Sequence, residues 1–214
     1  MNARTLVYAG IAVAVAGSGF AATGAQAATH HQAKKKKLKP CTTWTDPAGD
    51  AYVAGNPGKQ LADPTLDITG VTFTVAKGVF TAKVADPKYS NTATYSDGNQ
   101  FDVDFTVGGK TINIFVNRGV GWTALSNAFA QQGFKVGGAY TQGSNKLVTT
   151  TAASGVVTLT VTLADLATAA GVPLTNATAS AMSATSWGDY EAESIRADTA
   201  TAPATAKFVF ADCK

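Results

Sequence analysis

Charge and histidine are both scarce in this chain, and the shortage limits the chemistry that it can perform. Only 14% of the 214 residues are charged, and the two histidines, His30 and His31, lie side by side in a lysine-rich segment near the N-terminus. The remaining sequence offers no histidine for a Ser-His-Asp or Cys-His catalytic arrangement, nor for a zinc site that uses histidine. The G-x-S-x-G, Walker and dinucleotide-binding glycine patterns are also missing. These absences disfavour the common hydrolases, zinc enzymes and nucleotide-binding proteins.

Positive charge is confined to one segment. Six of the 17 lysines and arginines precede Pro40, so residues 40–214 carry 11 basic and 14 acidic side chains. A basic domain surface that binds nucleic acid is therefore disfavoured. Residues 28–39 (ATHHQAKKKKLK) are expected to form a disordered basic arm. The arm is either a solvated linker or a contact to anionic envelope polymers or lipid headgroups.

Residues 1–27 have the pattern of a bacterial secretory signal. Arg4 precedes an apolar run, and Ala25-Gln26-Ala27 supplies the small residues that a signal peptidase accepts. Cleavage before Ala28 is predicted, and the mature protein is expected to be secreted, extracellular or associated with the cell envelope. An uncleaved membrane anchor is the alternative. Later segments do not approach the roughly 20 apolar residues of a membrane span, so no transmembrane segment is expected after cleavage.

The chain has only two cysteines, Cys41 and Cys213, and they bracket almost all of the sequence after the arm. Because an exported protein meets an oxidising compartment, we expect them to form one disulfide. Their separation does not fit a C-x-x-C redox centre. The bridge would close residues 40–214 into one domain and would place the first and last strands side by side.

Alternating apolar and polar residues dominate residues 40–214. One hairpin is predicted on either side of Ala76-Lys77-Gly78, and a second on either side of Gly108-Gly109-Lys110. Alternation returns in residues 157–163, and a last strand covers residues 207–211. Residues 164–170 form the one helical candidate, whereas residues 119–142 and 173–205 are expected to hold short strands and long loops. The pattern predicts an all-β fold, an antiparallel jelly-roll-like β-sandwich with one short connecting helix.

Carboxylates are the main chemistry that the domain offers. Asp46 and Asp50 flank a short turn, and Asp67 precedes an alternating strand. Oxygen ligands from a loop and a strand entrance suit Ca²⁺. The alternative is that these aspartates only cap turns through backbone hydrogen bonds.

Three short motifs carry a resemblance to a known family. They are Asp46-Pro47-Ala48-Gly49-Asp50, Leu66-Asp67-Ile68 and Ala197-Asp198-Thr199-Ala200. Over roughly residues 45–209 they resemble the DOMON-like β-sandwiches, most closely the family-nine carbohydrate-binding modules and the calcium-bearing domain at the end of glucodextranase. The resemblance implies a structural Ca²⁺ near Asp46, Asp50 and Asp67, with Asp198 as a fourth candidate. Such domains usually accompany a catalytic domain, and this sequence shows none.

Aromatic and acidic side chains leave two further possibilities open. Trp122 and Trp187 adjoin glycines in loop-like stretches and are candidates to stack on sugar rings, although large aromatic residues are often part of the core. Asp102 and Asp104 share a strand face, and two carboxylates about 5–10 Å apart are the minimum for a glycosidase. A solvated sheet face explains the same pair.

The sequence therefore favours a secreted, non-catalytic binding or envelope-associated module that is stabilised by calcium. Its expected partner is a cell-wall or extracellular glycan. A carboxylate-dependent glycan hydrolase and a purely structural secreted protein are the alternatives.

Overall fold

A computed structural model describes residues 41–55, 59–62, 64–89, 98–118, 131–190 and 193–213. The expected signal peptide, the basic arm and Trp122 lie outside the described residues. The described residues form two large antiparallel sheets, a two-stranded ribbon and one α-helix. The strands are β1 (Thr42–Thr45), β2 (Tyr52–Gly55), β3 (Lys59–Ala62), β4 (Gly70–Ala76), β5 (Val79–Ala85), β6 (Gly98–Val107), β7 (Lys110–Arg118), β8 (Gln132–Val136), β9 (Ala139–Tyr140), β10 (Thr149–Ala153), β11 (Val156–Thr162), β12 (Thr178–Tyr190), β13 (Glu193–Thr201) and β14 (Phe208–Val209), and the helix is α1 (Leu163–Ala170).

The two large sheets have separate strand orders. One has five strands in the order β1-β4-β5-β11-β10, and the other runs β13-β12-β6-β7-β8-β9, with β14 paired to β12. Strands β2 and β3 form the separate ribbon. The all-β sandwich predicted from the sequence is confirmed.

Both predicted hairpins are present because their turns contain residues that accept left-handed backbone. The β4–β5 turn uses Lys77 and Gly78 at φ of 52° and 73°, and the β6–β7 turn uses Gly108 and Gly109 at 56° and 74°. Two consecutive positive φ angles are typical of the tight turns that match the twist of paired strands.

The core lies between the sheets and is centred on phenylalanine. Phe73 of the five-stranded sheet contacts Phe105 of the seven-stranded sheet edge-on, with ring centroids 6.2 Å apart. Phe208 and Phe210 from the C-terminal segment pack against each other at 4.7 Å and join the same cluster. Each of these rings is fully buried, so burial of apolar area is the main term that holds the sheets together.

Helix α1 connects β11 to the other sheet and confirms the predicted short helix. Its N-cap is Thr162, whose hydroxyl accepts a hydrogen bond from the Asp165 backbone N–H at 3.1 Å. Gly171 ends the helix in the left-handed conformation. No helix among the described residues is long and apolar enough to cross a membrane.

Cys41 and Cys213 form the predicted disulfide, with their Cα atoms 5.2 Å apart. Both residues bond to the backbone of β4, because Cys41 N–H donates to Phe73 O and Cys213 N–H donates to Val75 O. The prediction that the first and last strands lie side by side is wrong as a strand pairing. Strand β1 pairs with β4 and β14 pairs with β12, so the first and last strands are not neighbours in one sheet, although both cysteines lie beside β4.

The prediction of short strands and long loops in residues 173–205 is also wrong. This region contains β12, which has 13 residues and pairs with β6, β13 and β14. Its core side is lined by small or flexible residues such as Ala179, Met182 and Ala184, which are all buried. Small side chains give a weak alternation signal, although here they allow close approach to the phenylalanine core.

The two sheets differ on their outer sides. The outer side of the five-stranded sheet, here called the threonine face, aligns threonines across strands in two rows that include one lysine. The rows are Thr43, Thr72, Lys83, Thr158 and Thr151, followed by Thr74, Thr81, Thr160 and Thr149. The outer side of the seven-stranded sheet carries aromatic, amide and carboxylate side chains instead.

Candidate functional site

Three of the four predicted metal ligands come together at one end of the sandwich. Asp46 follows β1, Asp50 lies in the loop after it, and Asp198 lies on β13. One carboxylate oxygen from each lies within 4.8 Å of the others. The cluster therefore gathers side chains that are close in space although Asp198 is far from the other two in sequence.

A bulge positions Asp198. Between β12 and β13, Ser186 pairs with Asp198 whereas Trp187 pairs with Arg196, which leaves Ala197 as an extra residue on β13. The Asp198 side chain is 7% exposed. Its Oδ2 accepts from Ile68 N–H at 2.7 Å and its Oδ1 accepts from Thr199 N–H at 2.6 Å. These bonds fix the carboxylate and leave a lone pair on each oxygen for a further partner.

Asp67 has a different role from the three clustered acids. Both of its oxygens accept a hydrogen bond from Gly49 N–H at 2.9 Å, and the side chain is only 4% exposed. Asp67 thus ties the turn between Asp46 and Asp50 to the segment before β4. This is the turn-capping role that the sequence left as the alternative to metal binding.

The electrostatics of the cluster are those of crowded negative charge. Burial and, in decreasing order, the carboxylates of Asp198, Asp50 and Asp67 together raise the pKa of Asp46 to about 6. Burial also raises the pKa of Asp198, with Asp50 and Asp67 adding to the shift against the two backbone hydrogen bonds. The arrangement can hold a metal ion, since a bound cation would compensate this repulsion.

The second candidate site is the outer side of the seven-stranded sheet, here called the amide–aromatic face. Cross-strand partners stand next to one another on this face, because directly opposed residues of antiparallel strands point the same way. The register places Trp187 beside Gln100, Asp102 beside Phe115, and Asp104 beside Asn113. The face comprises Gln100, Asp102, Asp104, Asn113, Phe115, Asn117, Lys135, Tyr140 and Trp187.

Asp102 is the most enclosed ionisable group of this face, with 6% of its surface exposed. The Trp187 indole Nε1–H donates to Asp102 Oδ2 at 2.9 Å. The Gln100 Nε2 donates to Oδ1 at 2.8 Å and to Oδ2 at 2.9 Å. Burial is the main cause that raises the pKa of Asp102, and the Asp104 charge adds to it; the hydrogen bonds from Gln100 and Trp187 and the charge of Lys135 lower it, and the net pKa is about 6.

Aromatic rings border the carboxylate. Phe115 is 4% exposed although it lies on the outer side of the sheet. The Lys135 ammonium lies 5.3 Å from the centroid of its ring, and the Tyr140 ring lies 6.2 Å from it. A side chain at Gly133 would collide with this group, since a Cβ there would stand 2.9 Å from Tyr140 Cε2 and 2.6 Å from Ser144 Oγ. Gly133 therefore permits the close packing of Tyr140 over β8.

Of the two tryptophans predicted to stack on sugar rings, Trp122 lies outside the described residues. Trp187 lies within strand β12 and not in a loop, and its half-buried indole belongs to the amide–aromatic face. Trp44 is a core residue, 5% exposed, and its Nε1–H donates to Ala200 O.

Gln100, Asn113, Phe115 and Lys135 were not identified from the sequence. The polar positions of β6 and β7 could have suggested a shared face for the first two, because both hairpin strands alternate. The partnership with Trp187 depends on the pairing of β6 with β12, which no local pattern specifies.

Comparison of the chain with family models, with curated proteins and with solved structures gave no match. The function is therefore inferred from the chemistry of the acidic cluster and of the amide–aromatic face.

Proposed function

We propose that this protein is a secreted, non-catalytic glycan-binding module that uses the amide–aromatic face and is stabilised by Ca²⁺ at the acidic cluster. The observation that carries the proposal is the hydrogen bond from Trp187 Nε1 to the enclosed Asp102 carboxylate. It fixes an aromatic ring among amide and carboxylate groups. Residues 28–39 would add contacts to anionic envelope polymers.

The composition of the face supports a polyhydroxylated ligand. Aromatic rings offer an apolar surface to the C–H side of a sugar, while amides and carboxylates bind its hydroxyl groups. Asn113 donates from Nδ2 to Asp104 Oδ1 at 3.0 Å, and its own buried Oδ1 has no hydrogen-bond partner. The threonine face offers no comparable ring.

The first test is binding of the full chain to a panel of cell-wall and extracellular polysaccharides. Trp187→Ala should lower affinity at least about tenfold, which corresponds to about 1.4 kcal/mol, because the ring surface is lost. Thr160→Ala on the threonine face is the matched control and should bind as the wild type does. Equal binding by Trp187→Ala and wild type would contradict the proposed site.

Three features support Ca²⁺ at the acidic cluster. Its ligands are carboxylate oxygens, they come from a loop and from strand β13, and the neighbouring acids that raise the pKa of Asp46 concentrate negative charge at the site. Ca²⁺ takes about six to eight oxygen ligands in variable geometry. Asp46, Asp50 and Asp198 would hold the ion, and Asp67 would support it by ordering the turn.

The calcium test is thermal melting in excess Ca²⁺ and in excess chelator. A ligand that binds only the folded state stabilises it, by about 2.7 kcal/mol at a concentration one hundred times Kd. Asp50→Asn and Asp198→Asn should lose most of the shift in Tm, whereas the exposed Asp212→Asn should keep it. An unchanged wild-type Tm at saturating Ca²⁺ would refute the metal proposal.

The same panel of polysaccharides distinguishes binding from glycan hydrolysis, which the sequence left as an alternative. Release of reducing sugar by the wild type that is lost in Asp102→Asn would favour a hydrolase. Inertness in binding and in turnover would favour a purely structural protein.

A further inference from the structure

The Trp187 indole carries one polar atom, and the structure gives that atom a charged partner. Nε1–H donates to Asp102 Oδ2 at 2.9 Å across the β6–β12 pairing. Trp187 is half-buried, so one part of its ring packs on the sheet while another part meets solvent. The hydrogen bond therefore favours one orientation of the indole ring.

Within the described part of the chain, both hydrogen-bond partners of the Asp102 carboxylate are donors. The Trp187 indole and the Gln100 amide nitrogen donate to it, and neither of these groups can accept a hydrogen bond at the same atom. Protonation of Asp102 would turn one of its oxygens into a hydroxyl and leave the other as a neutral acceptor. The indole is held more strongly while the carboxylate is ionised, since bonds to charged acceptors are the stronger ones.

Among the described side chains, the charged groups that shift the pKa of Asp102 come from its own strand and from β8. Asp104, on the same strand, raises the pKa of Asp102, and Lys135 of β8 lowers it. The register partners on β7 and β12 are Phe115 and Thr185, which do not titrate. Burial is the largest influence, and the resulting pKa of about 6 makes the group ionised at neutral pH and mostly protonated near pH 5.

We propose that Asp102 is a positioning residue whose ionised carboxylate holds the Trp187 ring ready for the ligand, so that mild acid releases the ring and weakens binding. The inference rests on the proposed glycan site and adds a regulation to it. The Trp187 ring would then have a held state and a released state, which differ by one proton on Asp102.

The first experiment needs no ligand. The fluorescence emission of Trp187 is obtained by subtracting the spectrum of the Trp187→Phe variant from that of the full chain. The subtraction cancels the emission of Trp44 and Trp122. Between pH 8 and pH 4.5 this emission should change with a midpoint near 6, and the change should be absent in Asp102→Asn. Asp104→Asn is the matched control, and it should keep the transition at a lower midpoint because a like charge is removed.

The second experiment measures glycan affinity at pH 7.5 and pH 5. Wild-type affinity should fall about threefold to tenfold at pH 5, because a charged hydrogen bond is replaced by a poor one. Asp102→Asn should bind weakly and equally at both values, with an unchanged far-UV spectrum that shows an intact fold. Trp187 emission without a transition, or wild-type affinity equal at both pH values, would overturn the inference. Absence of glycan binding at both pH values, with the emission change intact, would instead reject the proposed function and keep the Asp102–Trp187 pair.

Discussion

At the scale of single residues, Asp67, Asp198 and Asp102 show how the surroundings decide the role of an aspartate side chain. Asp67 accepts backbone hydrogen bonds and caps a turn. Asp198 is equally enclosed, and its oxygens remain beside Asp46 and Asp50. Asp102 instead supports an indole. The sequence suggested acids near a turn, but it could not separate a cap from a ligand, because that difference lies in where each oxygen points.

The raised pKa of Asp46 predicts how the metal-free protein responds to pH. The folded state binds the proton more tightly than the unfolded state, since the pKa moves from 3.8 to about 6. Stability is therefore lower above pH 6 and is regained as pH falls from about 6 towards 3.8. In excess chelator, the wild type should show a higher Tm at pH 5 than at pH 7.5.

Asp46→Asn should reduce this difference and should raise the chelated Tm at pH 7.5, because one repelling charge is gone. Asp102 contributes in the same direction, so part of the difference should persist. Asp212→Asn, at an exposed site, should behave as the wild type does. A chelated wild type with a lower Tm at pH 5 would contradict the assignment.

At the scale of elements, local signals predicted the hairpins and the helix well. The β4–β5 and β6–β7 hairpins are formed by neighbouring residues with left-handed turns between them, so a short window of sequence contains what determines them. Strand β12 was missed because its core side uses alanine and methionine in place of large aliphatic residues. Its position depends on three partner strands, which only the whole fold supplies.

The cap of helix α1 provides a stability prediction for one element. Thr162 accepts from Asp165 N–H and donates to Asp165 Oδ2 at 2.6 Å. Thr162→Ala should therefore lower the free energy of unfolding by about 1 kcal/mol in urea denaturation. Thr168→Ala, at an exposed position of the same helix, should leave it unchanged or slightly higher because alanine favours helix. Equal losses in both variants would show that the cap contributes nothing.

At the scale of the whole molecule, the Cys41–Cys213 bridge closes a long loop, because the two cysteines are 172 positions apart in the sequence. In the chain-entropy model such a loop contributes roughly 5 kcal/mol by restricting the unfolded chain, and removal of a native disulfide usually costs about 2–5 kcal/mol. The pairing itself was predictable, because only two cysteines exist. The position of both cysteines beside strand β4 was not predictable, since strand order depends on long-range contacts.

Replacing both cysteines by alanine should lower the free energy of unfolding by about 2–5 kcal/mol in denaturant titrations. Wild-type protein refolded in excess reductant is the control and should match the double variant. A double variant with the wild-type midpoint would show that the bridge adds no stability.

The bridge also has a mechanical consequence. Cys41 and Cys213 both attach to strand β4, and the bond between them is covalent. Tension applied to the chain outside the two cysteines would pass through sulfur and would not load the strands enclosed between them. A module anchored on both sides could then bear force without unzipping its sheets, until the disulfide is reduced.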